Sequence, residues 1–187
     1  MSSGTTKIGA LFFNSCDTLG GGVTPIVGLT DDYNTFVSAI NNSYPQGGDG
    51  MVAYSMVKAY DFLTGVGSNP NAEKNIIIIT NVGIGDITQP CNWNPPSATY
   101  GSASQVATAM STGQYGGGTF QFKIQIVGVN DTNALPGTGP NYNQLTTLAT
   151  SSDLVYDIDI EDFENNVANQ LAIDSCEDHP IGGGTSA

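Results

Sequence analysis

The stretch Asn75-Ile76-Ile77-Ile78-Ile79-Thr80-Asn81 constrains the fold more than any other part of the chain. Four consecutive isoleucines with no polar alternation describe a strand covered on both faces, as in a parallel sheet sandwiched by helices. Their β-branched side chains favour extended backbone, and the run is far too short to span a membrane. Val82-Gly83-Ile84-Gly85-Asp86 follows, then Pro90, Cys91, Pro95 and Pro96, which end regular structure abruptly. Open α/β sheets build binding sites where buried strands run into polar, glycine-bearing loops at their carboxyl ends. This run is therefore expected to be the central strand, with Thr80, Asn81 and Asp86 at the functional edge.

The flanking segments support a layered sheet. Lys7–Phe13 reads as a strand ending in Asn14-Ser15-Cys16-Asp17, and Gly20-Gly21-Gly22 turns the chain into a returning arm, Val23–Val27. Pro25 cannot donate to a ladder, so that arm belongs at a sheet edge. Thr30 is expected to cap a helix with Asp31 and Asp32 in its first turn and Tyr33, Phe36, Val37 and Ile40 on its apolar face. After the turn Pro45–Gly50, a second helix carries Val52, Met56, Ala59 and Leu63 on one stripe and closes at Gly65 and Gly67. Val82–Gly101 is a long Pro-rich loop holding the only tryptophan, Trp93, and loops of this length are usually functional or pinned by a cross-link.

Beyond that loop, Ser102–Met110 reads as a short helix with Ala103, Val106, Ala107 and Met110 inward. Phe120–Val127 is a strand that alternates at first, with one face wet, and becomes continuously apolar. A helix ending at Ala149 turns Leu145 and Leu148 inward, Val155–Ile160 alternates as an edge strand, and Asp162 caps a last helix with Phe163, Val167 and Leu171 on its face. Strands alternating with helices give an α/β fold, a doubly wound and mostly parallel sheet flanked by helices, with an antiparallel edge strand. One domain over residues 1–176 and a flexible tail over 177–187 is the expected organisation of the 187 residues.

Charge and cysteine usage narrow the partners. Four lysines, no arginine and 17 acidic residues leave a formal charge of −13. Nucleic acid or an anionic membrane would demand a basic face, and the missing arginine removes the usual phosphate clamp. The bland reading of this charge is solubility in a salty medium. Cys16, Cys91 and Cys176 make an odd count. In a Ser/Thr/Asn/Gly-rich chain that suggests an extracellular or cell-surface protein with one bridge, against the alternative of three reduced cysteines in a cytosolic one. Asn41-Asn42-Ser43 and Asn130-Asp131-Thr132 fit the N-glycosylation pattern. No signal peptide, transmembrane run or lipidation motif is visible.

Other chemistry finds little footing. Gly83-x-Gly85 lacks the third glycine and the helix start that a dinucleotide turn needs, and Gly116-Gly117-Gly118 precedes a strand. His179 near Cys176 offers two zinc ligands of the required four, and the single histidine in the tail leaves no Ser/His/Asp set to assemble. Asp157, Asp159, Glu161 and Asp162 read as a solvated strand face and helix start rather than a carboxylate pair in a pocket.

The run from Lys7 to Leu171 resembles a von Willebrand factor type A (vWA) domain. The landmarks are KIGALFF and its hairpin, LTDDYNTFVSAI ahead of GGDG, NAEKNIIIIT, FKIQIVGVND before NYNQLTTLAT, and SSDLVYDIDIEDFENNV. The resemblance implies a Rossmann-like sheet with a metal-ion-dependent adhesion site at its carboxyl edge. No Asp-x-Ser-x-Ser, the motif that ends the family's first strand and supplies ligands, occurs in this sequence. By that resemblance the domain is expected to be incomplete, lacking the strand between Lys7–Phe13 and Ile76–Thr80 and open to strand donation from the missing segment or another chain. Cys176 then stands where the family often places a cysteine that closes the domain. Asp49 of Gly47-Gly48-Asp49 and Asn81 are the remaining candidate metal ligands, two oxygens that would bind magnesium or calcium weakly. A disulfide between Cys16 and Cys91 is expected, since both follow strands ending at the same sheet edge.

Two functions from different classes follow from this reading. The first is a protein- or glycan-binding module of adhesion or matrix type, using Asn14, Ser15, Asp17, Asp49, Asn81, Asp86, Trp93 and Tyr100 around the carboxyl edge. The second is a structural spacer or assembly domain whose metal site has decayed, and a hydrolytic enzyme is a distant third.

Overall fold

A computed structural model describes residues 6–13, 23–43, 52–80, 100, 102–118, 120–129, 140–158 and 170. The elements run β1 (Ile8–Phe13), β2 (Val23–Thr30), α1 (Tyr33–Asn41), α2 (Val52–Thr64), β3 (Lys74–Thr80), α3 (Ala103–Ser111), β4 (Phe122–Val129), α4 (Pro140–Leu148) and β5 (Val155–Ile158). The described strands form two sheets, an antiparallel pair β1-β2 and a parallel trio β3-β4-β5 flanked by helices. In the pair, Pro25 stands opposite Leu11, and the register shifts between Ile8 and Ala10 and again between Ala10 and Leu11. Gly9 sits within that irregularity, where a Cβ would come 3.2 Å from the Val27 carbonyl oxygen, tighter than a side chain accepts without movement.

The parallel trio is where the core lies. Its register runs from Lys74 opposite Phe122 to Thr80 opposite Gly128, and from Ile126 opposite Val155 to Val129 opposite Ile158. Side chains alternate across a pleated strand. Ile76 and Ile78 therefore join Phe122, Ile124 and Ile126 on one face, under Met56 of α2, Val106 and Met110 of α3, and Leu145 and Leu148 of α4. The other face carries Val127 and Val129, packed against Tyr156 and Ile158.

Three expectations need correcting. The isoleucine run is covered on one face only: Ile77 and Ile79 are 43% and 51% exposed, and β3 borders the described trio instead of centring it. β4 is the strand buried along its whole length, although Lys123 and Gln125 had marked it as half wet. Lys123 is accepted in the interior because its ammonium lies 2.8 Å from the Glu73 carboxylate, which answers the cost of taking a charge out of water. The N-cap of α1 is Asp32, not Thr30, because β2 continues through Thr30. One Asp32 oxygen accepts from the Asn34 and Thr35 amides at 2.9 and 3.3 Å, and the Thr30 hydroxyl accepts from the Asp32 amide at 3.0 Å. No residue of α1 is buried, and Tyr33 on its expected apolar face is 75% exposed.

Where pattern and burial agree, capping is the local reason. Ser102 caps α3, its hydroxyl accepting from the Gln105 amide while the Gln105 side chain accepts from the Ser102 amide. This reciprocal box satisfies two of the orphan amides at a helix start. All four residues expected inward on α3 are buried.

Candidate functional site

The candidate site is the carboxyl edge of the parallel sheet. Thr80 and Gly128 are level with each other in the ladder, as are Val129 and Ile158, so the segments after β3, β4 and β5 all leave from one edge. β3 and β4 are uncharged where they reach this edge, Ile78-Ile79-Thr80 and Ile126-Val127-Gly128-Val129, whereas β5 brings Asp157 level with Gly128. Thr80 is 8% exposed there. Asn14, Ser15, Cys16, Asp17, Asp49, Asn81, Asp86, Cys91, Trp93 and Cys176 all lie outside the described residues. So do the segment 81–99 and, apart from Gln170, which is helical, the expected last helix from Asp162. Among the described residues, no three of His, Cys, Asp and Glu gather closely enough to hold a metal ion.

Tyr100 is described, and it is half-buried. Its ring centroid is 5.3 Å from that of Tyr115, and its hydroxyl lies 3.5 Å from the Gln114 carbonyl oxygen. Tyr115 in turn meets the edge of Tyr60 at 4.9 Å, and Tyr60 lies 5.3 Å from Phe122, which opens β4. This aromatic chain ties the segment entering α3 to the amino end of the sheet. Burial, with a smaller contribution from the Asp61 carboxylate, pushes the Tyr115 phenol up to about 12. Gly116, at φ +63°, leaves the room the Tyr60 hydroxyl occupies, since a Cβ there would overlap it.

Two lysines give the amino end a feature that the sequence reading missed. Lys74 and Lys123 are each 3% exposed. The Lys74 ammonium donates to Ser68 Oγ at 2.9 Å and to the Asn69 carbonyl, and lies 5.5 Å from the Phe120 ring centroid. Burial holds its pKa below the usual lysine value. Lys7 donates to the neighbouring Gly67 carbonyl at 2.9 Å, which ties the entrance of β1 to the loop after α2. With half of the four lysines buried, the surface is more one-sidedly acidic than composition alone implies. A lysine beside an apolar run was the available signal, but spacing does not say whether such a residue is solvated or drawn under the sheet.

Asn41, the acceptor of the first glycosylation triplet, is exposed at the end of α1, whereas Asn130 lies outside the described residues. No described helix is long and apolar enough to cross a membrane.

No family model matches the chain, and no curated protein matches its sequence. Solved structures do match its fold. The VWA domain of SpRpn10 superposes with a TM-score of 0.54 at 17% identity, over 97% of this chain and 76% of that one. The pilus adhesin SpaC from Lactobacillus rhamnosus GG, in an open conformation, gives 0.62 at 15% identity over 90% of this chain. Proximal thread matrix protein 1 from the mussel byssus gives 0.55 at 17% identity over 91%. The chain spans a quarter of the adhesin, 25%, and 35% of the matrix protein. The fold is vWA-like.

Proposed function

We propose that the chain is a protein-binding module of extracellular adhesion or matrix type, which takes its ligand at the carboxyl edge of the parallel sheet. The observation that carries this reading is the common edge at Thr80, Gly128 and Ile158, from which the segments after three strands leave the sheet. Likeness in fold to a pilus adhesin and a byssal matrix protein supports it. In this reading Asn14, Ser15, Asp17, Asp86 and Trp93 supply contacts from the loops, and Tyr100 braces the entry to α3. Asp49 and Asn81 would offer a divalent cation two oxygens, too few for tight binding without a ligand's own carboxylate. The same reading makes the domain, residues 1–176, a binding module and not an enzyme. It also places a bridge between Cys16 and Cys91 to pin the segment after β3.

The test is saturable binding of the intact chain to a panel of matrix proteins and glycan arrays, with and without magnesium. Trp93→Ala is expected to lower binding at least tenfold with the unfolding midpoint unchanged. Binding that is absent across the panel, or indifferent to Trp93→Ala and Asp49→Ala together, would return the chain to the spacer reading.

Donation of a strand by another chain is a second mode of protein contact, and a separate observation favours it: no ladder joins β1 to β3 among the described residues.

A further inference from the structure

Burial divides the chain unevenly. Every buried residue among those described lies between Val52 and Leu154, whereas β1, β2 and α1, which are consecutive in the chain, contain none. β4 is buried along all eight residues and α3 buries five of its nine. Ile8 and Tyr33, which open β1 and α1, are instead 49% and 75% exposed. Apolar groups stabilise a segment in proportion to the surface they take out of water, so these first three elements draw less from the core than those that follow. Their ladder is irregular as well: the register shifts twice between Ile8 and Leu11, and Pro25 opposite Leu11 has no amide to donate.

The three elements are nevertheless well joined to one another. β1 pairs with β2 from Ile8 opposite Thr30 to Phe13 opposite Val23, and α1 packs on both strands. The Asp32 amide donates to the Thr30 hydroxyl at 3.0 Å, which ties the start of α1 to the end of β2. Their described attachments to the later elements are shallow. β1 and β2 pack on α2, Phe13 is a partly buried neighbour of the core, and the exposed Lys7 ammonium donates to the Gly67 carbonyl at 2.9 Å. α2 itself is held from the other side, because Val52, Ala53 and Met56 belong to the core shared with α3 and the parallel sheet. A contiguous segment with firm internal contacts and shallow outside ones is the kind that opens as a separate cooperative unit.

We propose that β1, β2 and α1 form one such unit, a cover that opens from α2 while α2, α3 and the parallel sheet stay folded. Opening withdraws Phe13 from the core and bares the side of α2 that β1 and β2 pack on. β1 runs directly into Asn14, Ser15 and Asp17, so a ligand held by them selects the closed unit. That last consequence rests on the proposed function, and the opening itself does not.

Amide hydrogen exchange of the full chain, without ligand and across a series of urea concentrations below the unfolding transition, tests the proposal. Amides of β1, β2 and α1 are expected to converge on one opening reaction, roughly tenfold or more less protected than those of β4 and α3. Their dependence on urea should be shallower, because the opening exposes less surface than global unfolding does. Ile78→Ala, which weakens the core under α2 and α3, is expected to speed exchange in β4 and α3 and to leave the rate of the unit unchanged. The proposal is overturned if all these amides follow one urea dependence, or if β1, β2 and α1 differ among themselves in slope. It is equally overturned if Ile78→Ala speeds both sets alike, or if the unit exchanges as fast as an unstructured peptide. No ligand enters the measurement, so failure here is separate from failure of loop binding.

Discussion

Ile78 and Ile79 are consecutive on β3 and meet opposite surroundings: Ile78 is 4% exposed, packed under α2 and α3, and Ile79 is 51% exposed on the other face. The pleat separates them, and the helices cover only one side. Ile78→Ala is expected to cost about 2–4 kcal/mol, the range for emptying a buried isoleucine site. Ile79→Thr keeps the β-branch and should change stability by less than about 0.5 kcal/mol. Urea unfolding of the two variants measures the contrast. Equal losses would mean that the second face of β3 is covered after all.

α3 depends on its cap. Ser102→Ala removes the acceptor for the Gln105 amide and breaks the reciprocal box, which is expected to cost about 1 kcal/mol. Ser102→Asp should retain most of the stability, because a carboxylate accepts the same amide and favours the helix start. Denaturant midpoints of both variants check the order parent, Asp, Ala.

Tyr115 sets an alkaline limit. Burial first, and the Asp61 charge next, push its phenol from the ordinary tyrosine value of 10.0 up to about 12 in the folded chain. Between those values the unfolded chain holds fewer protons than the folded one, so rising pH favours unfolding. The stabilisation is complete below the lower value and lost as pH climbs through the upper. Tyr115→Phe has no proton to lose, so its urea midpoint should fall less steeply over this window. Asp32 acts at the other end: the Thr35 hydroxyl, then the Thr35 and Asn34 amides, hold its carboxyl below the ordinary aspartate value of 3.8, so the α1 cap weakens only as pH falls beneath that value.

The sequence revealed the elements better than their surroundings. α3 and α4 were legible because Val106, Met110, Leu145 and Leu148 repeat at helical spacing and all end up buried. The order of strands and helices, and with it the layered α/β class, followed from the same periodicities. Burial of strands was misread in both directions. Four isoleucines promised two covered faces, but periodicity records what a face tolerates, and nothing in it reports whether a neighbouring layer is present. Lys123 and Gln125 promised a wet face on β4, yet Glu73, three residues ahead of Ile76 on the adjoining strand's approach, makes a buried ammonium acceptable. That compensation is a tertiary contact, invisible to local pattern. The start of α1 was misplaced because Thr30 and Asp32 are both good caps, and only the length of β2 decides between them. Of the candidate site, the supporting edge at Thr80 was legible, and Tyr100 proved to be braced against Tyr115.

Among the described strands β1 and β3 do not pair, which leaves β3 at the border of the parallel trio, and amide exchange along β3 in the isolated chain measures whether its outer edge is open. In a parallel ladder, alternate residues of an edge strand turn their amides toward the partner and the rest toward the open side. Within Ile76–Ile79 a period-two pattern is expected, with amides facing β4 exchanging at least tenfold more slowly than their neighbours. Uniform protection of all four, comparable to the fully enclosed β4, would contradict it, because the outer edge of β3 would then already be paired.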